Sequence, residues 1–171
     1  MLTYRKSDHL EVIGYIDSDF VGYVDTRKFT FGYVYLLAKG VISWKSVKQF
    51  VIDASSMGPE FVACFEATIQ ANWLRNFISG LRVVDNISKS LKIYCDNSAT
   101  IFFSKNDKYS KGAKHMELKY FVVKEEVQKR RVWIEHVSTN LMIVNPLTKG
   151  LSPKLYVGHV KNISIMSTNE C

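Results

Sequence analysis

One stretch, PEFVACFEATIQANWLRNFIS (Pro59 to Ser79), constrains the architecture more than any other. Its large apolar residues Phe61, Phe65, Ile69, Trp73 and Phe77 recur every four positions, and Ala63, Cys64, Ala67 and Ala71 form an adjoining strip of small ones. Both spacings belong to a helix, and a strip without bulky side chains lets a helix backbone come close to a flat surface. The chain must therefore supply a sheet. Gly58 followed by Pro59 suits the start of such a helix, because a first-turn proline has no N–H to leave unpaired.

The strands are legible on either side. Residues 12–21 alternate as a first strand, DTRK (Asp25 to Lys28) supplies a polar turn, and FGYVYLLA (Phe31 to Ala38) and GVISWKS (Gly40 to Ser46) follow as strands two and three. Connections this short imply an antiparallel meander. After the long helix, LKIYC (Leu91 to Cys95) is a fourth strand and NSATIFFSK a short helix. A basic loop (Asn106 to Lys114), a helix from about Glu117 to Arg130 and a fifth strand, VWIEHV (Val132 to Val137), complete the core. The expected fold is α/β: a mixed five-stranded sheet, a three-strand antiparallel meander plus two further strands, flanked by helices. A chain of 171 residues suits one domain. It divides into an N-terminal extension (1–11), the domain (12–150) and a tail (151–171) that is helical in part.

Three cysteines (Cys64, Cys95, Cys171) without a C-x-x-C pair support neither a disulfide framework nor a zinc site. There is no signal-peptide core and no apolar run near the ~20 residues that span a bilayer, so the expectation is an intracellular protein that is not secreted and meets no membrane. The net charge of +7 points toward polyanions. Between Lys105 and Arg131, nine basic residues stand against four acidic ones, which leaves +5 of the +7 in one segment interleaved with Tyr109, Tyr120 and Phe121. That composition suits a surface that meets phosphates and sugars, although a solvated helical face would read the same way.

Three acids stand out by position. Asp17 lies inside the first strand in GYIDSDFVGY, Glu60 in the first turn of the long helix, and Asp96 at the carboxyl end of the fourth strand. Each has an ordinary structural reading: Glu60 complements the helix dipole, and Asp96 or Asn97 caps the following helix. Ligand sites of open α/β sheets lie beyond strand carboxyl ends, and carboxylates converging there would need a cation to stay ionised. Oxygen-only donors favour Mg²⁺ or Mn²⁺ over Zn²⁺, and with a basic surface nearby they suggest metal-assisted phosphodiester chemistry.

The ordered series GYIDSDFVGYVDTRKFTFGYVYLLAKGVISWKS, PEFVACFEA, WLRNFISGL, IYCDNSAT, GAKHMELKYF and NPLTKGL closely resembles the ribonuclease H domain of copia-type LTR retrotransposon Pol polyproteins, especially those of plants. The resemblance runs from about Val12 to about Ile165. It implies a ribonuclease H-like fold and a Mg²⁺- or Mn²⁺-dependent endonuclease that cuts the RNA strand of an RNA–DNA hybrid during reverse transcription. It further implies a reverse transcriptase domain of the parent polyprotein as a partner, and a cytoplasmic location in a virus-like particle, or a nuclear one. The match starts about ten residues after the initial methionine with no polymerase region before it, so the chain is expected to be a detached or degenerate copy.

By the resemblance, Asp17, Glu60 and Asp96 are catalytic and hold metal. The family's fourth acid falls in a segment similar to ADPLTKGL; here VNPLTKGL places Asn145 in that role. An amide oxygen can hold a cation but brings no charge and takes no proton, which predicts weaker metal binding and slower turnover. A second departure is SSMGPEF, where family members read similar to STMEAEF, so Gly58 and Pro59 replace an acid and an alanine just ahead of Glu60. Asn97, Lys105, Lys108, Lys111, Lys114 and His115 are expected to meet the nucleic acid, with ordinary structure as the alternative for His115, ahead of a helix. Trp44, Trp73 and Trp133 read as core or core-edge residues, with a nucleic-acid contact as the alternative for Trp44 alone, beside Lys45 and Lys48, and Asp19 reads as a strand-end residue near the rim. The competing functional expectation is a catalytically inactive, nucleic-acid-binding remnant that keeps the fold and the basic surface.

Overall fold

The strip of small residues is seated on a five-stranded sheet in a computed structural model, which describes residues 11–20, 28–50, 58–81, 90–105 and 114–162. The strands are β1 (Val12–Phe20), β2 (Lys28–Leu37), β3 (Gly40–Phe50), β4 (Leu91–Cys95) and β5 (Val132–His136), in the spatial order β3-β2-β1-β4-β5. The helices are α1 (Pro59–Leu81), α2 (Ser98–Lys105), α3 (Lys114–Gln128), α4 (Asn145–Thr148) and α5 (Pro153–Asn162), with a 3₁₀ turn at Thr139–Leu141. The first three strands form the antiparallel meander, and β4 and β5 run parallel to β1. This is the mixed sheet that the strand pattern predicts.

Alternation along β1 gives the sheet two different faces. Val12 and Ile16 point toward α1 and join Phe29, Phe31, Tyr33, Tyr35, Ile93 and Ile134 in the main core, against Ala63, Cys64, Ala67, Ala71, Leu74 and Ile78. Full burial of a side chain such as Ile16 contributes about 1.5–3 kcal/mol. The Tyr35 hydroxyl reaches the helix backbone and donates to the Ala67 carbonyl at 2.6 Å. The opposite face carries a smaller cluster of Val34, Leu36, Val41, Met142 and Val144, with Tyr15 and Leu147 packed against it. Tyr15, Asp17 and Gly32 lie on this second face, so Asp17 looks toward the C-terminal segment and away from α1.

The row of large residues on α1 does not stay in the core. Steps of four residues advance about 40° around a helix, so the row spirals from the sheet into solvent. Phe61 is buried, whereas Ile69, Trp73 and Phe77 are exposed, the last two stacked with centroids 5.0 Å apart. Small residues, not aromatics, form the contact. Trp44, Trp73 and Trp133 are 63%, 54% and 44% exposed, which corrects their expected place in or beside the core.

Several boundaries move. β2 begins at Lys28, in the expected polar turn, and β3 continues to Phe50. α3 begins at Lys114, so Lys114 and His115 open a helix instead of closing a loop. The rest of that loop (106–113) and the turn residues 25–27 lie outside the described residues. Ala38 and Lys39 connect β2 to β3 with φ of 49° and 68°, a turn that asparagine and glycine occupy with less strain. Among the described residues no helix is long and apolar enough to cross a membrane.

Candidate active site

Asp17, Gly32 and Ser46 lie in register across β1, β2 and β3, and α4 rests directly on this row. Gly32 makes the close approach feasible: a Cβ there would stand 3.0 Å from the Lys45 carbonyl oxygen and 3.2 Å from Thr148 Cγ2. The Ser46 hydroxyl fixes the helix by donating to the Leu147 carbonyl at 2.7 Å. Proline lies in the first turn of α4, and Thr148 and Lys149 close the helix. Thr148 then donates its hydroxyl to Asp17 Oδ2, and Lys149 Nζ lies 3.3 Å from the same oxygen.

Asp17 is only 5% exposed, and burial, the largest cause, pushes its carboxyl pKa above the ordinary value. The Thr148 hydroxyl and the Lys149 ammonium oppose that shift, while the negative charge of Asp96 adds to it. Asp96 is therefore within electrostatic reach of Asp17. Parallel pairing of Ile16 with Cys95 explains the neighbourhood, since each aspartate is the next residue along its strand direction.

Asp96 and Asn145 are tied into one chain of contacts with Asp17. Thr139 donates its hydroxyl to Asp96 Oδ2 at 3.0 Å, and Asn145 donates Nδ2 to the Thr139 carbonyl at 3.0 Å. Lys149 Nζ closes the chain by donating to Asn145 Oδ1 at 3.4 Å. Of the two candidates for capping α2, Asn97 does it, accepting from the Thr100 N–H at 2.8 Å, which leaves the Asp96 carboxylate free of that task.

Glu60 sits apart from this chain. Its Oε2 would lie 2.5 Å from a Cβ at Gly58, so the carboxylate is folded back over the glycine at the helix entry. It still contributes to the local field. Burial foremost pushes the Cys95 thiol up to about 12, the Asn97 backbone opposes, and the charges of Asp96, Asp17 and Glu60 all add to the rise. The charges of all three acids are thus felt at one buried cysteine.

A divalent cation is the group this donor set implies. The donors fit in kind: they are hard oxygens, and the Lys149 ammonium already stands as a cation between Asp17 and Asn145. Among the described residues, however, no three His, Cys, Asp or Glu side chains are grouped closely enough to hold a metal ion. Thr148 and Lys149 occupy Asp17, Thr139 occupies Asp96, and Glu60 turns toward Gly58.

The expected nucleic-acid contacts are only partly covered. Lys105 is exposed, with its ammonium 4.9 Å from the centre of the Trp133 ring. Lys108 and Lys111 lie outside the described residues, and for Lys114 and His115 the backbone placement at the start of α3 is what is described. Lys119 on α3 lies over Phe65, and just past the end of that helix Lys129 and Arg131 pair with Glu125 and Glu126. Thr139, Thr148 and Lys149 were not among the expected site residues. The one signal for two of them is that they stand three and four residues after Asn145 in NPLTKGL.

No family model matches the chain. It is 32% identical over 136 residues to the retrovirus-related Pol polyprotein from transposon TNT 1-94 of Nicotiana tabacum, a match covering 80% of this chain and 10% of the relative. The corresponding polyprotein from transposon RE2 of Arabidopsis thaliana is 28% identical over 162 residues, covering 95% of this chain and 11% of the relative. The chain thus spans about a tenth of the length of these relatives. Among solved structures, LC11-RNase H1 in complex with an RNA/DNA hybrid aligns with a TM-score of 0.54 at 17% identity, covering 81% of this chain and 94% of that one. The N-terminal RNase H domain of a Mycobacterium tuberculosis protein aligns with a TM-score of 0.55 at 11% identity, covering 90% and 98%. The chain is a homologue of plant copia-type retrotransposon Pol polyproteins, and its fold is that of the ribonuclease H domains.

Proposed function

We propose that the chain is a metal-dependent endoribonuclease that cleaves the RNA strand of RNA–DNA hybrids, weakened by Asn145. The fold and the Pol homology support a ribonuclease H-type role. The observation that carries the finer reading is the buried Asp17 carboxylate, linked through Lys149, Asn145 and Thr139 to Asp96.

Asp17, Glu60, Asp96 and the Asn145 amide oxygen are the residues that would hold Mg²⁺ or Mn²⁺. When bound, such an ion neutralises charge at a scissile phosphodiester and favours ionisation of the attacking water. The protein's part is to hold Asp17 and Asp96 beside each other, with the Thr148 hydroxyl and the Lys149 ammonium favouring the charged form of Asp17, and to exclude bulk water from Asp17, which strengthens electrostatic interactions at the site. Discrimination of RNA from DNA rests on the ribose 2′-hydroxyl, which only the RNA strand offers. LC11-RNase H1, solved with an RNA/DNA hybrid, has this fold and supports such a partner. A reverse transcriptase domain is the second partner we propose, because the homologues are Pol polyproteins.

A second reading, a nucleic-acid-binding protein without hydrolytic activity, is favoured by the neutral Asn145 and by the absence of a three-acid group among the described residues. Incubation of the full chain with an end-labelled RNA–DNA hybrid in Mg²⁺, then Mn²⁺, separates the two. The enzyme reading predicts cuts in the RNA strand alone, lost in Asp96→Asn. Hybrid binding without cuts under either ion would establish the second reading.

A further inference from the structure

We propose that Lys149 is a resident counter-cation of the candidate site: its ammonium holds the place between Asp17 and Asn145 that a divalent ion would take, and the ion enters by displacing it. The inference rests on the reading of Asp17 and Asn145 as cation-holding residues. Lys149 Nζ lies 3.3 Å from Asp17 Oδ2 and 3.4 Å from Asn145 Oδ1, so one ammonium bridges two of the four candidate metal positions. A metal ion drawn to the same two oxygens would meet that positive charge at short range, and the two cations exclude each other.

The backbone explains how the lysine comes to be there. Lys149 is the residue at which α4 ends, with φ of −122° and ψ of 146°, and its N–H still donates to the Asn145 carbonyl at 2.9 Å. The extended backbone directs its side chain back across Asn145 to Asp17.

The two partners differ in freedom. The Asp17 side chain is 3% exposed and fixed in a central strand, whereas the Lys149 side chain is 26% exposed on a flexible stem. A buried carboxylate without a positive partner is costly, and Lys149 relieves that cost when no metal is bound. Its contacts are longer than the ~2.7–2.9 Å of a tight charge-assisted bond, as befits a partner that can leave.

Isothermal titration of the full chain with Mn²⁺ tests this, comparing the parent with Lys149→Met and Asp17→Asn. Removing an occupant that fills the site about nine-tenths of the time tightens apparent binding about tenfold. Lys149→Met is therefore expected to bind Mn²⁺ about tenfold more tightly than the parent, and to melt at a lower temperature without metal. If Lys149→Met does not fold, Lys149→Gln, which keeps a polar partner for Asp17, is expected to shift Mn²⁺ affinity in the same direction. Equal or weaker Mn²⁺ binding by the folded Lys149 variant, with binding lost in Asp17→Asn, overturns the counter-cation role and leaves the metal reading standing. No Mn²⁺ binding by either the parent or the Lys149 variant overturns both.

Discussion

Gly32 and Thr148 meet where α4 lies on the sheet: a Cβ on Gly32 would stand 3.2 Å from Thr148 Cγ2, and 3.0 Å from the Lys45 carbonyl oxygen on the other side. Both neighbours would have to give by a few tenths of an ångström, the strand at Lys45 and α4 at Thr148. Gly32→Ala should lift α4 and separate Thr148 from Asp17. The expected cost is about 1–3 kcal/mol of stability, read as a lower Tm, together with a loss of hybrid cleavage. An unchanged Tm would show that the contact is not tight.

Asp17 should impose a stability cost of its own. Its folded-state pKa is raised, first by burial, so its contribution is most favourable below the unfolded-state carboxylate pKa and is lost as pH rises through the folded value. Asp17→Asn removes the charge while keeping an acceptor for Thr148. It should melt a few degrees above the parent at neutral pH, where ~1 kcal/mol is worth about 2–4 °C in a domain of this size. The gap should shrink as pH falls into the carboxylate range. A variant less stable than the parent at neutral pH would mean that Thr148 and Lys149 outweigh the cost of burial.

Much of this layout was legible because it depends on local pattern. Alternation placed Asp17 inside a strand, a short apolar run placed Asp96 at the end of another, and the spacing of Ala63, Cys64, Ala67 and Ala71 called for a sheet beneath the helix. What escaped is tertiary. Thr148 lies 131 residues from Asp17, and Thr139 lies 43 from Asp96, so no periodicity could pair them. Trp73 and Phe77 misled for another reason: apolar character predicts burial only where a neighbour exists to cover it.

The β2–β3 turn places Ala38 and Lys39 at positive φ, where a Cβ is strained. Replacing them by asparagine and glycine should stabilise the protein by about 1–2 kcal/mol without altering hybrid cleavage, since the turn is remote from α4. Denaturant titration measures this. No shift of the midpoint would show that the turn is not strained.

Gly58 permits the folded-back position of Glu60, whose Oε2 lies 2.5 Å from where a Cβ would stand. The obstructed atom is at the end of a flexible side chain, so Gly58→Ala should change stability by no more than about 0.5 kcal/mol. It should also release the Glu60 carboxylate from that position and tighten Mn²⁺ binding. Unaltered Mn²⁺ binding alongside an unaltered Tm would place Glu60 outside the metal site.

As proposed, Asp17, Glu60, Asp96 and Asn145 would form a hydrolytic site with one weak corner. The most direct measurement is the rate of RNA-strand cleavage in a labelled RNA–DNA hybrid by Asn145→Asp beside the parent, in Mg²⁺ and in Mn²⁺. The predicted result is slow cleavage by the parent, acceleration of about tenfold or more by the restored carboxylate, and none in either background once Asp17 is replaced by Asn. Intact RNA with both proteins under both ions, while the hybrid remains bound, would contradict it.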